Sequence, residues 1–256
     1  MLEVNSTDRT ERAAKRKGLL SPPTQGAAKG AWPASLYATP RVAGWVAAPQ
    51  NETFIAEDIL DGCRSAVQQL DLEDLTSLGV TSSIRGEGRT TIALATSLVL
   101  AEYGLDVVLL ELDFRHPELA ERLTISKLPG IGDVVEGRAA LPDAMHSVST
   151  GLAVIPAGQL HGSVPRALRE LASNSVINAL TAQGHVVVAD LGPLLGDSAG
   201  RLAVSLVAEL VLVVRANMVQ ASSIKQAVEG LSVTPNVILN GLHSNVPSWA
   251  LRLSGL

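Results

Sequence analysis

The chain has 256 residues and a formal net charge of −5, so its overall charge does not recruit nucleic acid through counterion release. Its single cysteine, Cys63, excludes an internal disulfide and zinc-finger spacing alike. The longest late apolar run, Leu202 to Val214, is interrupted by Glu209, short of the roughly 18 residues a membrane-spanning helix needs. The N-terminus also lacks the apolar segment of a secretory signal, and a cytoplasmic address is expected.

Residues 1–53 carry Pro22, Pro23, Pro33, Pro40 and Pro49 among Ala, Gly and Ser, without a sustained apolar period. Such a segment buries too little surface to offset its ordering entropy, which predicts a disordered tail. The basic run Lys15-Arg16-Lys17 sits beside Glu11 and Arg12 and reads as solvated. From residue 54 to 256 apolar runs recur with prolines between them, the pattern of one globular domain.

Ile59, Leu60, Cys63, Ala66, Val67 and Leu70 follow Glu57 and Asp58 at helical spacing, predicting an amphipathic helix with acids at its N-terminus. A short strand over Leu78 to Thr81 comes next. It leads into the glycine-rich run Arg85-Gly86-Glu87-Gly88 and a helix from Thr90 to Tyr103, closed by Gly104. Val107 to Leu110 is continuously apolar, as in a strand buried on both faces, and Leu152–Ile155, Val186–Ala189, Leu210–Val214 and Asn236–Leu239 read the same way. Helical segments between them predict an α/β fold with a mostly parallel central sheet, helices on both faces, and ligands at the carboxyl ends of the strands.

The order strand, glycine loop, helix is what a phosphate site requires. Ser83-Ile84-Arg85-Gly86-Glu87-Gly88-Arg89-Thr90 has the form of a Walker A P-loop with Ser83 at the first glycine position and Arg89 at the lysine position. Gly86 and Gly88 let backbone N–H groups converge, and the helix N-terminus adds its positive dipole. Thr90 supplies the hydroxyl expected on magnesium. Glu111 and Asp113 stand at i, i+2 at a strand's carboxyl end, where both can face the phosphates. Asp190 ends another strand, in the Walker B position, and Asn240 ends the last, where an amide can pair with an adenine edge.

These features together resemble a known family. "VTSSIRGEGRTTIALATSLVLAEYGLDVVLLELDFRHPEL" is similar to the P-loop and second acidic motif of the bacterial tyrosine kinases of exopolysaccharide synthesis, and "VVVADLGPLL" to their Walker B segment. "LAVIPAG", "LVLVVRA" and "VILNG" resemble the family's later strands in order, so the likeness covers about residues 54–245. The MinD and ParA ATPases share the P-loop NTPase fold and offer the alternative of a positioning ATPase, but "FRHP" points to the kinase branch. The resemblance implies ATP or ADP with Mg2+ as cofactors. It implies that Ser83, Gly86, Glu87, Gly88, Arg89, Thr90 and Thr91 cradle phosphates and that Asp113 is the magnesium-linked or base carboxylate, with Glu111 as its partner. Asp190 becomes the Walker B acid, and Thr90, Asp113 and Asp190 the magnesium residues. It further implies a transmembrane, Wzz-like polysaccharide co-polymerase as partner, a homo-oligomeric ring, and a place at the inner membrane through that partner.

The chain departs from the family in ways that bear on catalysis. Arginine is longer and planar where lysine is a compact ammonium, so Arg89 is compatible with nucleotide binding and unfavourable to phosphoryl transfer. A non-catalytic nucleotide sensor is therefore the alternative to a kinase. The segment "HSNVPSWALRLSGL" has no tyrosine; the two in this sequence are Tyr37, in the tail, and Tyr103, so autophosphorylation on a C-terminal tyrosine cluster is not expected. Trp249, Leu251 and Leu253 are expected to pack back onto the domain. The family's oligomerisation motif in the leading helix keeps only Arg64 across Asp61 to Val67. His116, His146, His161, His185 and His243 show no metal-ligand spacing.

Overall fold

The computed structural model describes residues 55–241. The expected tail, Tyr37, and the C-terminal Trp249, Leu251 and Leu253 lie outside the described residues. Seven strands form one sheet: β1 (Ser77–Ser82), β2 (Val107–Glu111), β3 (His146–Ser149), β4 (Leu152–Ile155), β5 (Val186–Asp190), β6 (Glu209–Arg215) and β7 (Asn236–Asn240), in the order β3-β4-β2-β5-β1-β6-β7. All pairings are parallel except β3 with β4.

Strands β2, β4, β5 and β6 have apolar interiors because they are buried on both faces, and alternate residues serve opposite layers. Val107 and Leu109 join one core cluster, Val108 and Leu110 the other; Val186 and Val188 separate from Val187 and Ala189 in the same way. One layer holds α1 (Glu57–Val67) and α2 (Arg89–Glu102), through Cys63, Val67, Ile92, Val99 and Leu100. The opposite layer draws on α4 (Ile131–Val135), α5 (Val164–Ser173), α6 (Val176–Ala182), α7 (Ser198–Val204) and α8 (Ala221–Val228). A single-turn helix, α3 (Leu119–Arg122), follows β2. Helix α2 packs against both α1 and the sheet, which is why its buried residues run almost all round it, from Arg89 and Thr90 to Leu100.

Two expectations need correction. Strand β7, read from its apolar run as buried on both faces, is the sheet's edge: Val237 and Leu239 are 56% and 54% exposed. The sequence reading also passed over β3. Its residues His146, Ser147 and Ser149 are too polar to read as a core strand, but it needs only one partner and forms a hairpin with β4 through Thr150 and Gly151, where Gly151 adopts φ 77°.

Candidate functional site

Strands β1, β2, β5, β6 and β7 all end at one edge of the sheet, and the loop from β1 to α2 lies there. Gly86 and Gly88 take φ 87° and 94°, values in which a Cβ is strained. Gly88 also lies so close to the Asn240 side-chain amide that a Cβ would overlap it. The loop is built around a buried acid. Glu87 accepts the Ile84 N–H at 2.8 Å with one oxygen and the Arg215 N–H at 3.1 Å with the other, and Asn240 Nδ2 donates to the Glu87 carbonyl at 2.8 Å. Glu87 and Asn240, expected at a nucleotide, thus also fix the loop to the ends of β6 and β7. The segment after β5 supports the other side: the Leu194 and Leu195 N–H groups donate to the Ser82 and Ser83 carbonyls at 2.9 and 3.0 Å. The Ser83 hydroxyl is buried with no hydrogen-bond partner among the described residues.

At the start of α2, Arg89 turns inward. Its Nε donates to Asp190 Oδ1 and its Nη2 to Asp113 Oδ2, both at 2.8 Å, with side-chain exposures of 8%, 1% and 4% for Arg89, Asp190 and Asp113. Sheet order makes this possible. β2 lies beside β5 with Glu111 opposite Asp190, so the chain leaving β2 delivers Asp113 next to Asp190. Burial opposes the Arg89 charge, but the adjacent Asp190 and Asp113 overcome it and hold its pKa above the ordinary arginine value. Burial pushes the Asp190 carboxyl up, against the pull of Arg89. Asp190 Oδ2 is buried without a partner that meets hydrogen-bond geometry. Asp113 Oδ1 accepts the N–H groups of Arg115 and His116 at 3.2 Å each.

Glu111 stands on the same side of the chain but is engaged elsewhere. One oxygen accepts the Glu118 and Leu119 N–H groups at 2.6 and 2.8 Å, and the other accepts Ala157 N–H at 3.0 Å. Burial raises its pKa, with those amides opposing. The structure therefore joins Arg89, Asp113 and Asp190 in one cluster, while Glu111 ties β2 to the start of α3 and to the turn after β4.

Outside this cluster lies a cleft of about 510 Å³ over the loop, bordered by Gly86, Gly88 and Thr90. Four arginines line it, Arg85, Arg89, Arg122 and Arg215, with Glu118 as the one acid among its lining residues. Arg122 pairs with Glu118 at 2.6 Å and donates to Thr91 Oγ1 at 3.2 Å; Arg215 Nη1 reaches the Gly86 carbonyl at 3.3 Å. Neither Arg122 nor Arg215 was singled out from sequence, although Arg215 shares the one available signal, a charged residue at a strand's carboxyl end. Asp113 and Asp190 do not line the cleft; Arg89 does.

Such a cleft suits a polyanion. A divalent ion meets a different situation, because three of the four oxygens of Asp113 and Asp190 are already engaged. No group of three or more His, Cys, Asp and Glu side chains among the described residues is disposed to hold a metal. Thr90, Asp113 and Asp190 suit magnesium in type and place, but only once Arg89 withdraws. No helix among the described residues is long and apolar enough to cross a membrane.

No protein-family model matches the sequence. The chain is 29% identical over 144 residues to the succinoglycan biosynthesis transport protein ExoP of Rhizobium meliloti, an overlap of 54% of this chain and 17% of that protein. It thus spans about a sixth of that relative's length. It is 23% identical over 201 residues to the tyrosine-protein kinase CpsD of Streptococcus agalactiae, covering 75% of this chain and 86% of the other. Among solved structures, the VpsO kinase domain superposes with a TM-score of 0.63 at 25% identity, covering 73% of this chain and 97% of that one. The septum site-determining protein MinD of Pyrococcus horikoshii, solved with Mg-ADP, shares the fold with a TM-score of 0.53 at 20% identity, covering 69% and 75%.

Proposed function

We propose that the chain, which is similar to bacterial tyrosine kinases and has the P-loop ATPase fold, is a nucleotide-responsive regulator of exopolysaccharide synthesis and export in which phosphoryl transfer is weakened. The observation that carries this reading is Arg89, held by Asp113 and Asp190 at 2.8 Å each. Phosphoryl transfer rests on positioning and on charge placed where it develops. Here the cation stands at the wall of the cleft, tied to two acids that neutralise it. A misplacement of about 1 Å at such a centre costs roughly 100-fold in rate.

In this reading ATP or ADP lies with its phosphates over Gly86, Gly88, Thr90 and Thr91, under Arg85 and Arg215. Asn240 would take the adenine edge at its amide oxygen while its nitrogen holds Glu87. Glu87 and Glu111 act by positioning: the first shapes the loop, the second anchors the segment after β2. Thr90, Asp113 and Asp190 would hold magnesium only in a state in which Arg89 has released both acids; there the ion would neutralise phosphate charge. The name of the ExoP relative, a succinoglycan biosynthesis transport protein, supports the polysaccharide pathway, and a transmembrane, Wzz-like co-polymerase would bring the protein to the inner membrane.

A melting series with ATP and ADP tests the site. At ligand about 100 times above Kd, stabilisation of about 2.7 kcal/mol is expected, and an unchanged melting temperature with both nucleotides refutes nucleotide binding. Incubation with MgATP and a tyrosine-bearing co-polymerase tail should give little phosphotyrosine. The second reading, an active tyrosine kinase, is favoured by the likeness to CpsD and to the VpsO kinase domain; rapid phosphorylation by the native protein would establish it over the first.

A further inference from the structure

We propose that Arg89 takes the electrostatic place of the divalent ion, so that this cleft binds a metal-free nucleoside di- or triphosphate. This rests on the nucleotide reading above and specifies the form of the ligand. Asp113 and Asp190, the acids that would draw a metal into the site, lie behind Arg89 with exposures of 4% and 1%, each bound to it at 2.8 Å. A planar guanidinium spans two carboxylates with separate N–H groups, which the single ammonium of lysine does as a point charge without a fork. The fixed cation thus stands between the acids and the phosphates, where an exchangeable ion would otherwise stand.

The cleft's own charge points the same way. Arg85, Arg89, Arg122 and Arg215 face it against Glu118, and Glu118 is already bound to Arg122. A magnesium ion arriving with the nucleotide enters an arginine-lined wall and finds no uncommitted carboxylate pair. A metal-free triphosphate carries two more negative charges than its magnesium complex and gains correspondingly more from the same arginines.

Calorimetric titration of the full chain with ADP and with ATP, once in EDTA and once in excess MgCl2, decides the matter. The expected result is a Kd in EDTA equal to or tighter than that in magnesium. A Kd more than about tenfold tighter in magnesium overturns the proposal while leaving the nucleotide site intact. Absence of binding in both buffers overturns the nucleotide reading and this inference with it. The variant Arg89→Lys, checked for native melting, frees one or both carboxylates and should acquire a magnesium preference of about tenfold. An Arg89→Lys protein that folds, binds nucleotide and remains indifferent to magnesium would remove Arg89 as the cause and refute the assignment.

Discussion

Replacing Arg89 with methionine keeps an unbranched side chain of similar reach and deletes the charge that two buried acids share. At an effective dielectric of about 20, each 2.8 Å contact corresponds to about 6 kcal/mol of attraction before desolvation is subtracted. Removing one partner of a buried ion pair costs about 3–5 kcal/mol net, because the other charge is left uncompensated. For a domain of this size that is a fall in Tm of about 6–20 °C, taking about 2–4 °C per kcal/mol. The orphaned Asp190, whose carboxyl burial already pushes up, can escape part of the penalty by binding a proton. Its folded pKa then lies further above the unfolded one, the folded state holds the extra proton, and stability falls as pH rises through that window. The deficit of Arg89→Met against wild type, read by urea denaturation with circular dichroism, should therefore be largest near neutral pH and shrink toward pH about 5. Adding Asp113→Asn to Arg89→Met should recover part of the loss. A variant melting within about 2 °C of wild type at neutral pH, with no dependence on pH, would refute the buried bridge as a stabilising element.

Glu87→Ala orphans the Ile84 and Arg215 N–H groups and should cost about 2–4 kcal/mol in a urea melt, with Glu87→Gln less severe because one acceptor remains. Gly88→Ala forces a side chain into φ 94° and against Asn240; a loss of at least about 1–2 kcal/mol is expected, with loss of the nucleotide-induced melting shift. Asp133 keeps a lowered pKa despite burial, through the Gly130 N–H and Arg138, and Glu136 is held down at about 2, chiefly by Arg138. Their contribution is present above the ordinary carboxylate range and lost as pH falls below it, so Asp133→Asn should flatten the acid limb of the stability profile measured by urea denaturation. Cys63 is 1% exposed and burial pushes its thiol pKa up, so a thiol reagent should label it only at the rate of unfolding, followed by mass spectrometry.

Much of the fold is readable from the sequence because its signals are local. Val107 to Leu110 and Val186 to Ala189 are continuous apolar runs, and a strand buried on both faces leaves no other pattern. The positive-φ glycines Gly86 and Gly88 announce the turn into α2, and the glycine loop followed by a helix marks a candidate phosphate cradle without any tertiary information. Edge position is not local. The run Asn236 to Leu239 looks like a core strand, yet among the described residues β7 pairs with β6 alone, and the polar β3 is a strand because β4 lies beside it.

Residue type and strand-end position brought Asp113 and Asp190 forward as candidates from sequence alone, and the P-loop lysine position brought Arg89. Their union needed the tertiary structure, since Arg89 meets partners 24 and 101 residues away through a sheet order that sets β2 beside β5. Glu111 and Asp113 part despite their common side of the chain, because the Glu111 carboxylate is taken up by the backbone amides at 118, 119 and 157. Sequence brought Arg89, Asp113 and Asp190 to the carboxyl edge of the sheet, because strand ends and glycine turns are written in neighbouring residues, while Arg122 and Arg215 joined the cleft only in the tertiary structure. Which of those charges neutralise one another was decided by the packing of distant strands, because an ion pair depends on distance in space.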